Sequence, residues 1–295
     1  MSSAPVLTIQ NLDKSLGGSH VLSGVSLHVQ RGESFAVFGP PGCGKTTLAA
    51  IICGAMPFDS GEVEINAASL SVARERSSLA PDLTLQENYE MFGALGGVHR
   101  KRRSSRVAAV IEELGLSRYR ARFARDLSRA TLWMAEIGKA MLLDADLIVL
   151  DSAMDGLAPD EVETAWSALS ARRRERHTAL LVTTSDDSVA GLCDRAALMH
   201  EGKILRVGPP DELRALASDE PVLIEPIVSP VLARKLEGQK PFAIEERADG
   251  VYVGSQPENP DLAKLLAQSG GLGCVRLKKA TLADAIRSLL EGHAQ

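Results

Sequence analysis

Gly39-Pro40-Pro41-Gly42-Cys43-Gly44-Lys45-Thr46-Thr47 is the stretch of sequence that decides the fold. It follows an apolar run at residues 35–38 and leads into a helical pattern at residues 48–53. The stretch matches the pattern G-x-x-x-x-G-K-[ST], with strand, loop and helix in the required order. Its glycines let backbone N–H groups point at phosphate oxygens, and the start of the helix adds positive potential. We therefore expect all of these residues to form a phosphate-binding loop at a nucleotide site.

A loop of this kind predicts ATP and Mg²⁺ as the cofactors. Lys45 is expected to reach the β and γ phosphates, and the Thr46 hydroxyl to bind the metal. The second metal-holding group is predicted at Asp151, because this acid follows the buried apolar run at residues 147–150 and would hold Mg²⁺ through water. Cys43 is interpreted as a small loop residue, with a reactive thiol at the helix start as the alternative.

The apolar patterns predict an α/β fold with a mostly parallel sheet. Runs rich in Val, Ile and Leu alternate with helical patterns, which favours buried strands with helices on both faces of the sheet. These runs lie at residues 35–38, 63–65, 147–150, 179–183, 196–199 and 204–207. Residues from about 84 to 143 show helical patterns only and predict an all-helical subdomain.

A second, smaller domain is predicted to follow. Prolines and an acidic turn end the first domain, residues 1–217, because proline disfavours continuing a helix. Residues 218–295 are expected to form a small α+β domain of the split βαβ type. Its predicted strands are residues 222–225, 242–246, 250–254 and 273–277, and its predicted helices are residues 230–237, 260–268 and a closing helix from residue 282.

Composition limits the kinds of partner. The chain has 295 residues and a net charge of -5, which gives no reason to expect DNA or RNA as a partner. Its four cysteines show no CxxC pair and no zinc spacing, so no metal site is expected from them. No targeting segment or long apolar stretch is evident, which favours a cytoplasmic chain that does not span a membrane.

Several segments around the loop resemble the ATP-binding-cassette (ABC) family of transport ATPases. They are Leu7-Thr-Ile-Gln-Asn-Leu12, residues 22–33, Pro81-Asp-Leu-Thr-Leu-Gln-Glu-Asn88, Leu127-Ser128 and residues 192–204. The C-terminal part, ending in residues 277–290, is similar to the extension of daunorubicin-resistance-type exporter ATPases. The resemblance implies a dimer beneath a membrane permease, peripheral at the cytoplasmic face, with ATP held between the phosphate loop of one subunit and the signature motif of the other.

The chain departs from the family at the positions that cleave ATP. The family signature Leu-Ser-Gly-Gly-Gln is replaced by Leu127-Ser128-Arg129-Ala130-Thr131. Ser152 stands where the family has the glutamate that activates water, and a serine hydroxyl is not a usable base near neutral pH. Counting back from the segment at residue 192 puts Thr184 where the family has a histidine that contacts the γ-phosphate.

Other departures concern the base, the metal and the partner subunit. Leu16 aligns with an aromatic residue that stacks on adenine in the family, and it is expected to pack against the base without stacking. Residues 76–81 are too short for the family's glutamine loop, and Gln86 is expected on a helix surface instead. Ala158 replaces an aspartate that bridges the family's dimer. Steric loss of the signature is the expected effect of Arg129, with an arginine finger across the dimer as the alternative.

These features predict a nucleotide-binding subunit that holds Mg-ATP and hydrolyses it poorly. The changes fall on catalytic positions, whereas the phosphate loop and Asp151 are spared. Such a subunit is expected to pair with a second, active ABC ATPase subunit, in a heterodimer rather than a homodimer, beneath permease subunits. The alternatives are an active homodimeric ABC exporter ATPase with unorthodox catalytic residues, and a cassette protein with a structural or signalling role and no permease.

Overall fold

The computed structural model describes residues 4–217, 222–225, 243–247, 250–255, 276–277 and 280–292. The chain divides into two compact units, Met1–Pro210 and Asp211–Gln295. The domain boundary after residue 217 stays a prediction.

A six-stranded sheet forms the centre of the first unit, in the order β5-β6-β7-β3-β8-β9. Its strands are β3 (Ser34–Phe38), β5 (Leu70–Arg74), β6 (Leu147–Asp151), β7 (Ala179–Thr184), β8 (Arg195–His200) and β9 (Lys203–Gly208). All neighbours pair in parallel except β8 and β9. The strands β3, β6 and β7 are buried along their whole length, as expected where helices cover both faces. The predicted α/β fold is confirmed.

A second sheet of the first unit corrects part of the prediction. It contains β1 (Leu7–Leu16), β2 (Ser19–Val29) and β4 (Ser60–Ile65), paired antiparallel in the order β2-β1-β4. Residues 63–65 therefore do not belong to a buried parallel strand, and that expectation was wrong. Glu62 and Glu64 alternate with Val63 and Ile65, and such alternation is typical of an antiparallel strand with one face in water.

Helices cover the central sheet and form the predicted helical region. The helices of the first unit outside that region are α1 (Lys45–Ile52), α5 (Pro159–Arg176) and α6 (Asp187–Ala190). The helix α7 (Pro210–Ala215) lies in the second unit apart from its first residue. The helical region contains α2 (Leu85–Leu95), α3 (Arg100–Glu113) and α4 (Arg129–Met141), with 3₁₀ turns at Ser117–Tyr119 and Ala124–Asp126. Thr84 and Glu87 form a capping box that starts α2. The buried Tyr89 hydroxyl donates to Ala135 O at 2.9 Å and so ties α2 to α4.

Four strands of the second unit pair in the order β11-β12-β10-β13, all antiparallel. They are β10 (Val222–Glu225), β11 (Ala243–Arg247), β12 (Gly250–Ser255) and β13 (Arg276–Leu277), and they are followed by α8 (Leu282–Gly292). Because β12 lies between β10 and β11, the strand order is that of a split βαβ module. The helices predicted at residues 230–237 and 260–268 lie outside the described residues.

Candidate functional site

The loop between β3 and α1 has a backbone that requires glycine. Gly42 and Gly44 have φ angles of 82° and 109°, which side chains disfavour. A Cβ atom on Gly44 would lie 2.7 Å from the carbonyl oxygen of Val21, and one on Gly39 would overlap the carbonyl oxygen of Met199. The glycines of the predicted phosphate loop are thus needed for the loop to pack, and its bare backbone faces the space above it.

Lys45 folds back over this loop. Its ammonium donates hydrogen bonds to Gly39 O at 2.7 Å, to Pro40 O at 3.0 Å and to Ser185 Oγ at 3.0 Å. The side chain is buried, so its charge needs acceptors of this kind. A phosphate group above the loop would offer the same ammonium a charged acceptor, which forms a stronger hydrogen bond than a carbonyl does.

The two residues predicted to hold magnesium lie in contact. Thr46 Oγ1 donates to Asp151 Oδ1 at 3.2 Å, and Thr183 Oγ1 donates to the same oxygen at 2.8 Å. A hydroxyl and a carboxylate oxygen are donors that suit Mg²⁺, which keeps several waters and takes phosphate oxygens as its other ligands. Within the described residues no group of three or more His, Cys, Asp or Glu could hold a metal alone. The donors present fit a magnesium ion that arrives with a nucleotide.

A cavity of about 500 Å³ opens over the loop. Its lining residues are Val21, Pro41, Gly42, Gly44, Lys45, Thr46, Thr47, Glu75, Ser152, Asp155 and Ser185. The cavity lies at the carboxyl ends of the parallel strands, because Glu75 follows β5, Ser152 follows β6 and Ser185 follows β7. Ligands of open α/β sheets bind at this edge.

Ser152 lines the cavity in a strained backbone conformation. Its φ angle is 51°, a left-handed value that residues other than glycine rarely adopt. The backbone N–H donates to Thr183 O and to Thr183 Oγ1, each at 3.1 Å, and these bonds hold the turn. Ser152, the residue directly after Asp151, therefore lines the cavity, as the sequence predicted.

The structure places Ser185, not Thr184, at the cavity. Thr184 has no exposed surface and its hydroxyl donates to the carboxylate of Asp155. Ser185 is the first residue after β7, and its hydroxyl accepts the hydrogen bond from Lys45. The role of Thr184 at the γ-phosphate stays a prediction, and Ser185 is the neighbouring residue that lines the cavity.

Asp155 is a cavity residue that the sequence motifs did not indicate. Its Oδ2 accepts a hydrogen bond from Ser185 N at 3.0 Å. Burial raises the pKa of the Asp155 carboxyl above its ordinary value, and the hydrogen bonds from Thr184 and Ser185 and the charge of Lys45 offset part of that rise. A half-buried carboxylate therefore lies within the wall of the cavity.

Glu75 is the second cavity residue that the sequence motifs did not indicate. It corrects the expectation that residues 76–81 leave no room for a loop at the site. Glu75 N donates to Asp151 O at 3.0 Å, directly after β5. The strand β5 lacks a continuous apolar run, so neither it nor the acid that follows it was predicted. Gln86 lies in α2 and is not a lining residue of the cavity.

The signature-like residues begin α4. Ser128 Oγ accepts a hydrogen bond from Thr131 N at 3.2 Å and so caps the helix, and Arg129 is its first residue. Leu127 is buried and Ala130 half-buried. None of these residues lines the cavity within this chain.

Leu16 is not among the lining residues of the cavity either. It ends β1, where it pairs with Ser19, and its exposed fraction is 41%. Val21 on the neighbouring strand lines the cavity instead. The contact between Leu16 and the base stays a prediction.

Comparison with known proteins agrees with this site. Residues 22–155 match the family model described as ABC transporter. The chain is 28% identical over 260 residues to ribose import ATP-binding protein RbsA 1 of Burkholderia thailandensis, which covers 82% of this chain and 50% of the relative. It is 27% identical over 224 residues to Nod factor export ATP-binding protein I of Ralstonia nicotianae, covering 72% of this chain and 70% of the relative.

A solved structure described as the ATP-binding subunit of an ABC transporter shares the fold. Its TM-score is 0.65 at 24% identity, covering 71% of this chain and 92% of the other. Residues 22–155 thus correspond to a nucleotide-binding domain of the ABC transporter type. It spans about half the length of the ribose import relative. Among the described residues, no helix has both the length and the apolar character needed to cross a membrane.

Proposed function

We propose that this chain is a nucleotide-binding subunit of an ABC-type membrane transport complex, which binds Mg-ATP through its phosphate loop and hydrolyses it poorly. The observation that carries the proposal is the composition of the cavity. Lys45 and Thr46 line the cavity and Thr46 contacts Asp151 behind it, whereas serines stand at positions 152 and 185. Loss of a positioned general base lowers turnover by roughly 10²- to 10⁴-fold.

Each binding group has a defined task in this proposal. Lys45 exchanges its carbonyl acceptors for the β and γ phosphates, and the backbone N–H groups of the loop donate to phosphate oxygens. Thr46 and Asp151 would hold Mg²⁺, which neutralises phosphate charge when it is bound. Ser152 and Ser185 donate and accept hydrogen bonds but do not abstract a proton from water near neutral pH.

The proposal includes partners. The names of the relatives describe ATP-binding proteins of import and of export, which supports a transport role and leaves its direction open. We place permease subunits and a second, active ABC ATPase subunit beside this chain, with the chain peripheral at the cytoplasmic face of the membrane. Arg129 and Ala130 stand where two glycines let the signature approach the partner's nucleotide, which favours a heterodimer over two copies of this chain.

The test uses the purified 295-residue chain. A fluorescent ATP analogue with Mg²⁺ should bind to the unmodified chain, and Lys45→Ala should weaken that binding by about 100-fold, since a charge-assisted contact to the phosphates is lost. Lys101→Ala is the matched control, because Lys101 is an exposed residue of α3 and should leave binding unchanged. The ATPase rate of the isolated chain should stay near the background.

Two outcomes would contradict the proposal. One is an unmodified chain that binds no nucleotide. The other is robust ATP turnover by the isolated chain that Lys45→Ala abolishes, which would favour the active homodimeric ATPase. Purification from membranes would test the partners, since the complex should contain a permease and a second ATPase subunit.

A further inference from the structure

Asp155 lies beside the groups that would contact the terminal phosphate of ATP. Its Oδ2 accepts from Ser185 N at 3.0 Å, and Ser185 Oγ accepts from Lys45 Nζ at 3.0 Å. The lysine of such a loop reaches the β and γ phosphates of a bound nucleotide. A carboxylate therefore stands close to the place where the γ-phosphate would lie.

Asp155 and Glu75 both line the cavity, but their carboxylates have different charged neighbours. Glu75 has the guanidinium of Arg129 at 2.8 Å, whereas no Lys or Arg of the described residues forms an ion pair with Asp155. The charged groups that act on Asp155 are Lys45, which a phosphate would engage, and Asp186, which has the same sign. Nucleotide binding would thus direct Lys45 to the phosphate and add negative charge beside Asp155.

We infer that Asp155 makes the cavity favour nucleoside diphosphate relative to nucleoside triphosphate, because its carboxylate repels the γ-phosphate. The inference rests on the proposed nucleotide site and adds a residue that sets its specificity. A diphosphate engages Lys45 and the loop without placing a charge beside Asp155. Two like charges that share a protein cavity weaken binding by roughly tenfold or more, since the effective dielectric there is lower than in water.

The test compares ATP with ADP in competition against a fluorescent ADP analogue, on the whole 295-residue chain with Mg²⁺. Asp155→Asn should raise the affinity for ATP relative to ADP by about tenfold, since the repulsion is removed. Asp155→Ser removes the same charge and should shift the ratio in the same direction. It serves as the second variant if the asparagine disturbs folding. Asp160→Asn is the control, because Asp160 is an exposed residue in the first turn of α5 and should leave the ratio unchanged.

The outcomes separate the inference from the function on which it rests. An unmodified chain that binds neither nucleotide would refute both. A chain that binds both nucleotides, with an affinity ratio that Asp155→Asn leaves unchanged, would refute the inference alone. If Asp155→Asn lowered the affinity for ATP relative to ADP, that result would also overturn the inference, since the carboxylate would then help to hold the metal of Mg-ATP.

Discussion

Arg129 donates a hydrogen bond to Glu75 Oε1 at 2.8 Å within the same chain. Its guanidinium also lies 4.6 Å from the ring centroid of Trp133, whose Nε1 donates to Glu75 O at 2.8 Å. The first turn of α4 is thereby joined to the residue that follows β5. Arg129 therefore contacts residues of its own chain, whereas the sequence left open a role for it across the dimer.

The ion pair should contribute little to stability. Arg129 and Glu75 have side-chain exposed fractions of 73% and 56%, and exposed pairs are screened by water and salt. Arg129→Ala should lower the free energy of unfolding in urea by about 1 kcal/mol or less. A loss of several times that size would show that the contact holds α4 in place.

The same variant tests the arginine finger. If Arg129 reached the phosphate of a partner subunit, Arg129→Ala would lower the ATPase rate of the assembled complex by roughly 10³-fold or more. Because Arg129 contacts Glu75 in cis, we expect the rate to remain within about threefold of the unmodified complex. Steady-state ATPase assays of the purified complex would distinguish an arginine finger from a contact within the chain.

Glu136 should be needed for folding of the helical region. Its carboxylate is completely buried and accepts hydrogen bonds from Ser77 Oγ and from the N–H and hydroxyl of Ser78, and it pairs with Lys139. Glu136→Ala should lower the free energy of unfolding by about 3 kcal/mol, since Lys139 loses its ion pair and three donors from Ser77 and Ser78 lose their acceptor. A urea titration would measure the loss.

The paired variant Glu136→Met with Lys139→Met gives the control. It removes both charges, so it should recover more than half of the stability lost by Glu136→Ala, although Ser77 and Ser78 still lack their acceptor. Equal losses of unfolding free energy in the two variants would show that the unpaired charge of Lys139 does not cause the loss in Glu136→Ala.

Gly138 should not tolerate a side chain. A Cβ atom there would overlap the hydroxyl of Tyr89 and lie 2.8 Å from Leu114 Cδ1. Gly138→Ala should lower the melting temperature, because overpacking of about 1 to 3 kcal/mol outweighs the better helix propensity of alanine. Differential scanning fluorimetry would measure the change.

Gly93 provides the matched comparison in α2. A Cβ atom on Gly93 would meet Arg103 Cγ at 3.3 Å, and that side chain can shift. Gly93→Ala should therefore be neutral or stabilising by up to about 1 kcal/mol. Similar losses at both glycines would refute the packing explanation for Gly138.

Cys43 should react slowly with alkylating agents despite its place in the phosphate loop. Burial raises the pKa of its thiol above the ordinary value, and the charge of Lys45 offsets only part of that rise. Because the thiolate is the nucleophile, alkylation by iodoacetamide at pH 7.5 should be about tenfold or more slower than that of a free cysteine, and it should accelerate as the pH rises. Peptide mass spectrometry would follow the site, and faster labelling than free cysteine would indicate an activated thiol.

The sequence alone determined the features that depend on neighbours along the chain. The loop at residues 39–47, the strand that ends at Asp151 and the helical region from α2 to α4 were all predictable. Each depends on a local pattern, such as glycine spacing or apolar periodicity, that a short segment carries by itself. The strands β10, β11 and β12 of the second unit were predictable from their local patterns in the same way.

Only the tertiary structure decided which side chains share the cavity with that loop. Glu75, Asp155 and Ser185 come from segments far apart in sequence, and the parallel pairing of β5, β6, β7 and β3 brings their carboxyl ends to one edge. The same pairing leaves Thr184 buried, and Leu16 at the end of β1 is not part of the lining. A shift of one residue at the end of a strand exchanges a buried side chain for one that lines the cavity, and spacing along the chain does not resolve such a shift.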